Sequence, residues 1–171
     1  MIALLSELLR HALTDSNEQE ITLRDELKLV RLYLEILEIR YQGQLQTVVE
    51  AAPDVLDGLV PNLILQPLVE NAMKHGVDRA GGRGTIEVRA RREGDDLVLS
   101  VRDTGPGDEA PKPAGTGGMG LQLTRDRLAE LYGAEQRLEL SPAPDGGAVS
   151  RVTLPFHTAA DLRVAAELAR S

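Results

Sequence analysis

"TIEVRARREGDDLVLSVRDTGPG", residues 85–107, is the stretch that decides the fold class. In TIEVRAR (85–91) Ile86, Val88 and Ala90 alternate with polar residues, and in DLVLSVRD (96–103) Leu97, Leu99 and Val101 do the same. Period-two alternation is the mark of a half-buried strand, and REGDD between the two runs reads as a hairpin turn. Asp103 falls on the parity of the apolar residues, so its carboxylate points toward the apolar layer, where an unpaired charge is costly. A lone D-x-G-x-G is as readily a strand-end turn. Its functional reading is a carboxylate that accepts a hydrogen bond from an exocyclic amine. Adenine offers such a donor, whereas guanine presents a carbonyl oxygen at that place. Gly105 and Gly107 would let the backbone approach a flat base.

Upstream of this stretch the apolar period is helical. Ile2, Leu5, Leu9 and Ala12 share one side of a short helix over 2–13, and a polar break, TDSNEQE, follows at 14–20. Leu27, Val30, Leu34 and Leu37 line one stripe of a long helix from Leu23 to Tyr41, closed by Gly43. LQTVVE (45–50) is a strand candidate. The next helix opens at Pro61, where a missing N–H costs nothing, and Pro67 inside it predicts a kink or a later start.

That helix carries LVENAMKHG, residues 68–76. Leu68, Val69, Ala72 and Met73 define its buried stripe. Asn71, Lys74 and His75, at i, i+3 and i+4, gather on a neighbouring face, about 5–6 Å apart, and Gly76 ends the run. Most Lys and His on helices are simply solvated. Here the polar face stands in a fixed order with two other motifs, and together they point to a nucleotide. Asn71 can ligate Mg²⁺, which prefers oxygen and keeps several waters. Lys74 can meet phosphate as a point charge, with His75 beside it.

Downstream, AGTGGMGL (114–121) leads into a helix from about Leu121 to Tyr132. Backbone N–H groups of Gly115, Thr116, Gly117, Gly118, Met119, Gly120 and Leu121 before and at a helix start suit phosphate oxygens. Gly115, Gly117 and Gly120 also satisfy G-x-G-x-x-G, but DEAPKPA before them is no strand, which rejects a dinucleotide fold. Strands QRLELS (136–141) and AVSRVTLPF (148–156), joined by a turn containing APDGG, and a helix in TAADLRVAAELAR complete the chain. The order implies α+β architecture: one mixed, mostly antiparallel sheet covered by helices on one face.

With 171 residues the chain is long enough for one domain with a real core, and 42% hydrophobic against 27% charged content is that of a globular protein. Aromatics are 2%, so the core must be aliphatic, and the absence of cysteine excludes disulfides and thiolate metal sites. A net charge of -8 argues against nucleic-acid binding. No apolar run approaches the roughly 20 residues of a membrane span, and MIALLSELLRHAL is not a secretory signal. A cytoplasmic location follows as the expectation.

"LQPLVENAMKHG", "VRDTGPG" and "GTGGMGLQLTRDRLAELYG" resemble the N, G1 and G2 boxes of the GHKL ATP-binding fold. "LLRHAL", "LVRLYLEILEIRY" and "LVPNLILQPLVENAMKHG" are similar to the LytS-like sensor histidine kinases, so the resemblance runs from about residue 4 to 156. It implies a two-layer α/β sandwich over 21–156, with 1–14 a remnant of the dimerisation and phosphoacceptor helix and 157–171 a helical tail. ATP and Mg²⁺ would be bound by Asn71, Lys74, His75, Asp103 and the glycine boxes under a lid of roughly residues 104–118, with Asn71 and Lys74 serving catalysis. The implied reaction is phosphorylation of a histidine, relayed to a response-regulator aspartate. A homodimer contact through the N-terminal helix is implied too, and any membrane anchoring would belong to segments outside this sequence.

Departures from that pattern also carry information. The Phe-Leu-Phe-Asn run that follows the family's phosphoacceptor histidine is absent, and His11 stands where the family often has Tyr, so the acceptor is expected outside this chain. Gyrase-like members of the fold carry a water-activating Glu four residues before the metal-binding Asn; Pro67 occupies that position here, as suits a kinase that should not hydrolyse ATP. Gly117 stands where the family has Thr. Two other functions compete: a stand-alone serine kinase of the anti-sigma type, and a nucleotide-binding module without turnover.

Overall fold

A computed structural model describes residues 19–105 and 118–171. The expected helix over 2–13, and Gly107, Gly115, Thr116 and Gly117, lie outside the described residues. In chain order the elements are β1 (Glu20–Thr22), α1 (Leu23–Arg40), β2 (Leu45–Ala51), β3 (Leu59–Pro61), α2 (Leu65–Ala72), β4 (Gly84–Glu93), β5 (Asp96–Asp103), α3 (Met119–Tyr132), β6 (Arg137–Pro142), β7 (Ala148–Pro155) and α4 (Ala159–Arg170).

Five strands form the main sheet in the order β2-β4-β5-β7-β6; β2 runs parallel to β4 and the other pairs are antiparallel. The parity read from the sequence holds. Ile86, Val88 and Ala90 on β4 and Leu97, Leu99 and Val101 on β5 are all buried, and the register sets Ile86 opposite Asp103. Leu27, Val30, Leu34 and Leu37 of α1 and Leu68, Val69, Ala72 and Met73 at α2 join them in one core with Leu121 and Leu128 of α3. This is the α+β sandwich, with an aliphatic core between sheet and helices. The outer side of β4 carries charge: Arg89 lies 3.2 Å from Glu50 and 3.5 Å from Glu87.

Two local expectations need correction. Pro61 does not open a helix. Leu59–Pro61 is β3, paired antiparallel with β1, which begins at Glu20, the last residue of the expected polar break. The chain then bends at Asn62 and Leu63, whose φ is +59°, and α2 starts at Leu65. Pro67 therefore sits in the first turn, where a helix has no intrahelical use for the N–H that proline lacks.

The second finding concerns how α2 begins. It has no side-chain cap of its own; Glu26 on α1, only 2% exposed, accepts the N–H groups of Leu63 and Leu65, each at 3.0 Å. A carboxylate at a helix N-terminus meets both the orphan amides and the positive end of the dipole. Burial pushes the Glu26 carboxyl above its ordinary value, against the pull of those amides and of Arg127 on α3. Arg127 in turn donates to the carbonyls of Asn62 and Gln19, tying α3 to the same bend. In Glu26→Gln one of the two amides faces an NH₂ group, so a loss of about 1–3 kcal/mol is expected, read as a lowered midpoint in urea with an unchanged slope.

Glu20 closes the other side. Its Oε2 accepts the Tyr132 hydroxyl at 2.6 Å and lies 2.9 Å from His157 Nε2. Burial first, and this carboxylate second, push the Tyr132 phenol far above its usual range. Entry strand, α3 and the segment after β7 thus meet at one carboxylate.

Candidate functional site

Asp103 ends β5 and is 4% exposed. Its Oδ1 accepts the Gly105 N–H at 3.0 Å, and the Ala148 amide also hydrogen-bonds this carboxyl. Burial nonetheless raises its pKa above the ordinary 3.8; the Gly105 and Ala148 amides and the nearby His75 pull the other way. Desolvation is the largest effect, so this carboxylate is held at an energetic cost.

α2 reaches that carboxylate through Gly76. Beyond Ala72 the helix widens into a π turn, Met73–Val77. π turns cluster at functional places because the extra residue re-aims the side chains around it. A methyl group built on Gly76 would overlap the Asp103 carboxyl, and one on Gly105 would stand 2.5 Å from Gly76 Cα. Gly76 is therefore more than a terminator, because its bare Cα lets the helix end close onto the β5 carboxylate.

The polar face of the helix divides around this contact. Asn71 is half-buried and His75 exposed, and His75 lies near enough to Asp103 to favour its charged form. Lys74, exposed, helps to line a cleft of about 250 Å³ between α1 and α2, together with Tyr33, Leu37, Arg40, Tyr41, Glu70, Met73 and Asp78. The Tyr41 hydroxyl donates to Asp78 Oδ1 at 2.5 Å across that cleft. His75 thus stands at the Asp103 end and Lys74 toward α1, a division that helical spacing alone did not separate.

α3 supplies the third piece. Gly118 is its N-cap, and Met119, 82% exposed, and Gly120 occupy its first turn, where a helix presents amides outward. Leu121 differs from its neighbours: its side chain is 2% exposed in the core and its N–H is donated to Gly118 O at 3.0 Å. Thr124 anchors the turn by donating to Gly120 O at 2.8 Å.

This order of parts, a polar helix face, a buried aspartate beside glycines, and a glycine-led helix start, coincides with a family match. The sequence profile of the histidine kinase-, DNA gyrase B- and HSP90-like ATPases covers residues 57–158. The chain belongs to this ATPase family. A second profile, that of histidine kinases, covers residues 1–45. The sensor histidine kinase BtsS of Escherichia coli K12 is 34% identical over 134 residues, 78% of this chain and 23% of BtsS. The sensor protein LytS of Staphylococcus haemolyticus is 32% identical over 165 residues, 90% of this chain and 28% of LytS. The chain thus spans about a quarter of the length of these relatives. Among solved structures, the catalytic domain of histidine kinase ThkA superposes with a TM-score of 0.60 at 17% identity, covering 80% of this chain and 94% of that one. The fold is that of a histidine kinase catalytic domain, and the LytS-like resemblance stands.

Two features of the site had no signal in the sequence. Glu26 lies among ordinary helix charges, 39 residues from the Leu65 amide it accepts. Gly147, in the β6–β7 turn, packs on Asp103 from a distance of 44 residues in sequence and read only as turn chemistry.

Proposed function

We propose that the chain binds MgATP and transfers its γ-phosphate to a histidine on a domain outside this sequence, for relay to a response-regulator aspartate. The observation that carries this reading is the closure of Gly76 onto the buried Asp103. A buried carboxylate at one end of the helix whose polar face holds Asn71 supports a base that donates an amine there.

Adenine fits the Asp103 end: a desolvated carboxylate gains most from a ligand that donates to it. The Asn71 side-chain oxygen would join phosphate oxygens and water around Mg²⁺, a metal usually held by few protein ligands together with substrate phosphates. Among the described residues no group of three or more His, Asp or Glu side chains converges, so the donor set suits a metal that arrives with the triphosphate. Lys74 and the start of α3 would neutralise phosphate charge. When bound, Mg²⁺ supplies charge neutralisation on the phosphates; the protein's part is to orient the γ-phosphorus toward the incoming imidazole. The imidazole nitrogen bonds to that phosphorus, the bond to the bridging oxygen breaks, and ADP leaves with that oxygen. Pro67 occupies the place from which a carboxylate would activate water, which favours transfer to protein over hydrolysis.

Two further expectations belong to this reading: residues 1–14 pair with a second copy, and the parent protein works on the cytoplasmic side. Among the described residues no helix is long and apolar enough to cross a membrane.

The test is to incubate the chain with γ-labelled ATP, with and without a supplied acceptor domain from a relative. The expected result is no label on the chain alone and acid-labile label on the acceptor domain. Acid-stable label would mean phosphoserine and the anti-sigma-type alternative. Binding without any label would leave a nucleotide-binding module, and label on His11 would overturn the reading of residues 1–14.

A further inference from the structure

α4 begins at Ala159, just beyond residue 158, where the ATPase profile ends. None of its 12 residues is buried, and Leu162, Val164 and Leu168 stand exposed. A helix this short is marginal in water without tertiary packing. Its start is nevertheless fixed. The Thr158 hydroxyl accepts the Asp161 N–H at 3.3 Å, Asp161 Oδ2 accepts the Thr158 N–H at 2.7 Å, and Thr158 bridges to Gly58. Arg163, Glu167 and Arg170, at i, i+4 and i+7, share one side of α4. Leu162, Ala165, Ala166 and Ala169 form an apolar stripe on another. We propose that this stripe is the docking surface for residues 2–13 of the same chain, the segment whose sequence reads as an amphipathic helix and which lies outside the described residues.

The place where the chain enters the fold selects this occupant. The Gln19 carbonyl accepts the Asn62 N–H at 3.0 Å and Arg127 at 3.3 Å. The next residue, Glu20, lies 2.9 Å from Nε2 of His157, the residue before the α4 cap. Residues 14–19 can span about 20 Å, and a helix of the length of α4 or of 2–13 measures about 18 Å. The segment therefore reaches along α4. By the shortest path Leu13 arrives at the first turn of α4, so the two helices run antiparallel. One antiparallel register sets Ala12 opposite Leu162, Leu9 opposite Ala165 and Leu5 opposite Ala169. A large side chain then faces a small one at every step, the alternation by which packed helices interdigitate. Apolar residues occupy about half the circumference of 2–13, so one edge meets α4 while the other is left for the second copy expected above. The proposal stands independently of the nucleotide reading.

The chain has no cysteine, so a pair of thiols can be introduced without competition. In the full chain, Leu9→Cys with Ala165→Cys is compared with Leu9→Cys with Glu167→Cys, whose second thiol sits on the charged side of α4. A disulfide forms only when the two Cα atoms come within about 7 Å. Mild oxidation and non-reducing electrophoresis are expected to show an intrachain bond in the first pair and little in the second. Covalent dimers from the first pair would assign the stripe to a second copy. No bond, or equal yields in both pairs, would leave it to solvent, and any of these results overturns the proposal. Should the paired variants fail to fold, hydrogen exchange on the unaltered protein decides the matter. Amides of 159–170 are expected to exchange slowly, to keep the same rates on dilution, and to lose that protection in Leu9→Glu. Fast exchange in the unaltered protein, protection that falls on dilution, or protection that survives Leu9→Glu refutes the docking.

Discussion

Asn71→Ala is expected to lower phosphotransfer to a supplied acceptor domain by about 100- to 1000-fold, the usual cost of removing one preorganised group that meets developing charge. MgATP affinity should fall much less, because a contact that strengthens in the transition state appears in turnover more than in binding. Metal-free adenosine should bind as before, since the base end is built from Asp103 and its glycines. The fold should persist as well. Leu68, Val69, Ala72 and Met73, the core stripe of this helix, are at most 5% exposed and untouched by the change. Lys74→Ala should weaken MgATP binding and also flatten its salt dependence, because its contribution is Coulombic and screened by ions. Melts with adenosine, ADP and MgATP plus one transfer assay complete the comparison. Parent-rate transfer by Asn71→Ala would reduce the polar face to a solvated edge.

Asp103→Asn is expected to weaken ADP about 100-fold, or about 2.7 kcal/mol, and to move preference toward guanine. With Oδ1 kept on the Gly105 amide, the new NH₂ group takes the outward position. A donor there opposes the adenine amine and suits the guanine carbonyl. The ligand-free protein should respond in the opposite sense. Burial raises the Asp103 pKa above 3.8 in the fold. For an acid shifted upward, the folded state holds its proton more tightly than the unfolded state does. Its contribution to stability therefore improves as pH falls through the raised value, and at neutral pH the ionised group is a cost. Asn removes that cost, so the empty variant should melt higher at pH 7 than the parent and lose this advantage on acidification. ADP binding by the parent should weaken over the same descent in pH, as the acceptor takes up a proton. An Asp103→Asn protein that binds ADP like the parent would remove the carboxylate from the site.

How much of this was legible beforehand depended on the range of the interaction involved. The strands 85–91 and 96–103, the apolar stripes of α1 and α2 and the buried side of Asp103 can all be read directly. Periodicity is a local property, and one apolar face meeting one core determines which side chains turn inward. Asn71, Lys74, Asp103 and the glycine-rich run stand out in the sequence for the same reason, being motifs of adjacent residues. Pro61 reads as a helix start in the sequence, yet proline suits a helix start and a strand end equally well. Pairing with Glu20–Thr22, 41 residues away between Glu20 and Pro61, chose the strand.

The sequence by itself determined the secondary structure class, the apolar layer and the chemistry of the residues set into it. Only the tertiary structure decided how those residues meet. It brought Glu26 under the start of α2, separated Lys74 from His75 around the helix, and folded Gly76, Gly105 and Gly147 about one carboxylate oxygen. Each of those contacts joins segments whose closeness depends on sheet order and helix packing. Glycine, with no side chain, leaves no periodic trace of what it lies against; its contribution is space, and space exists only once the chain has closed around it.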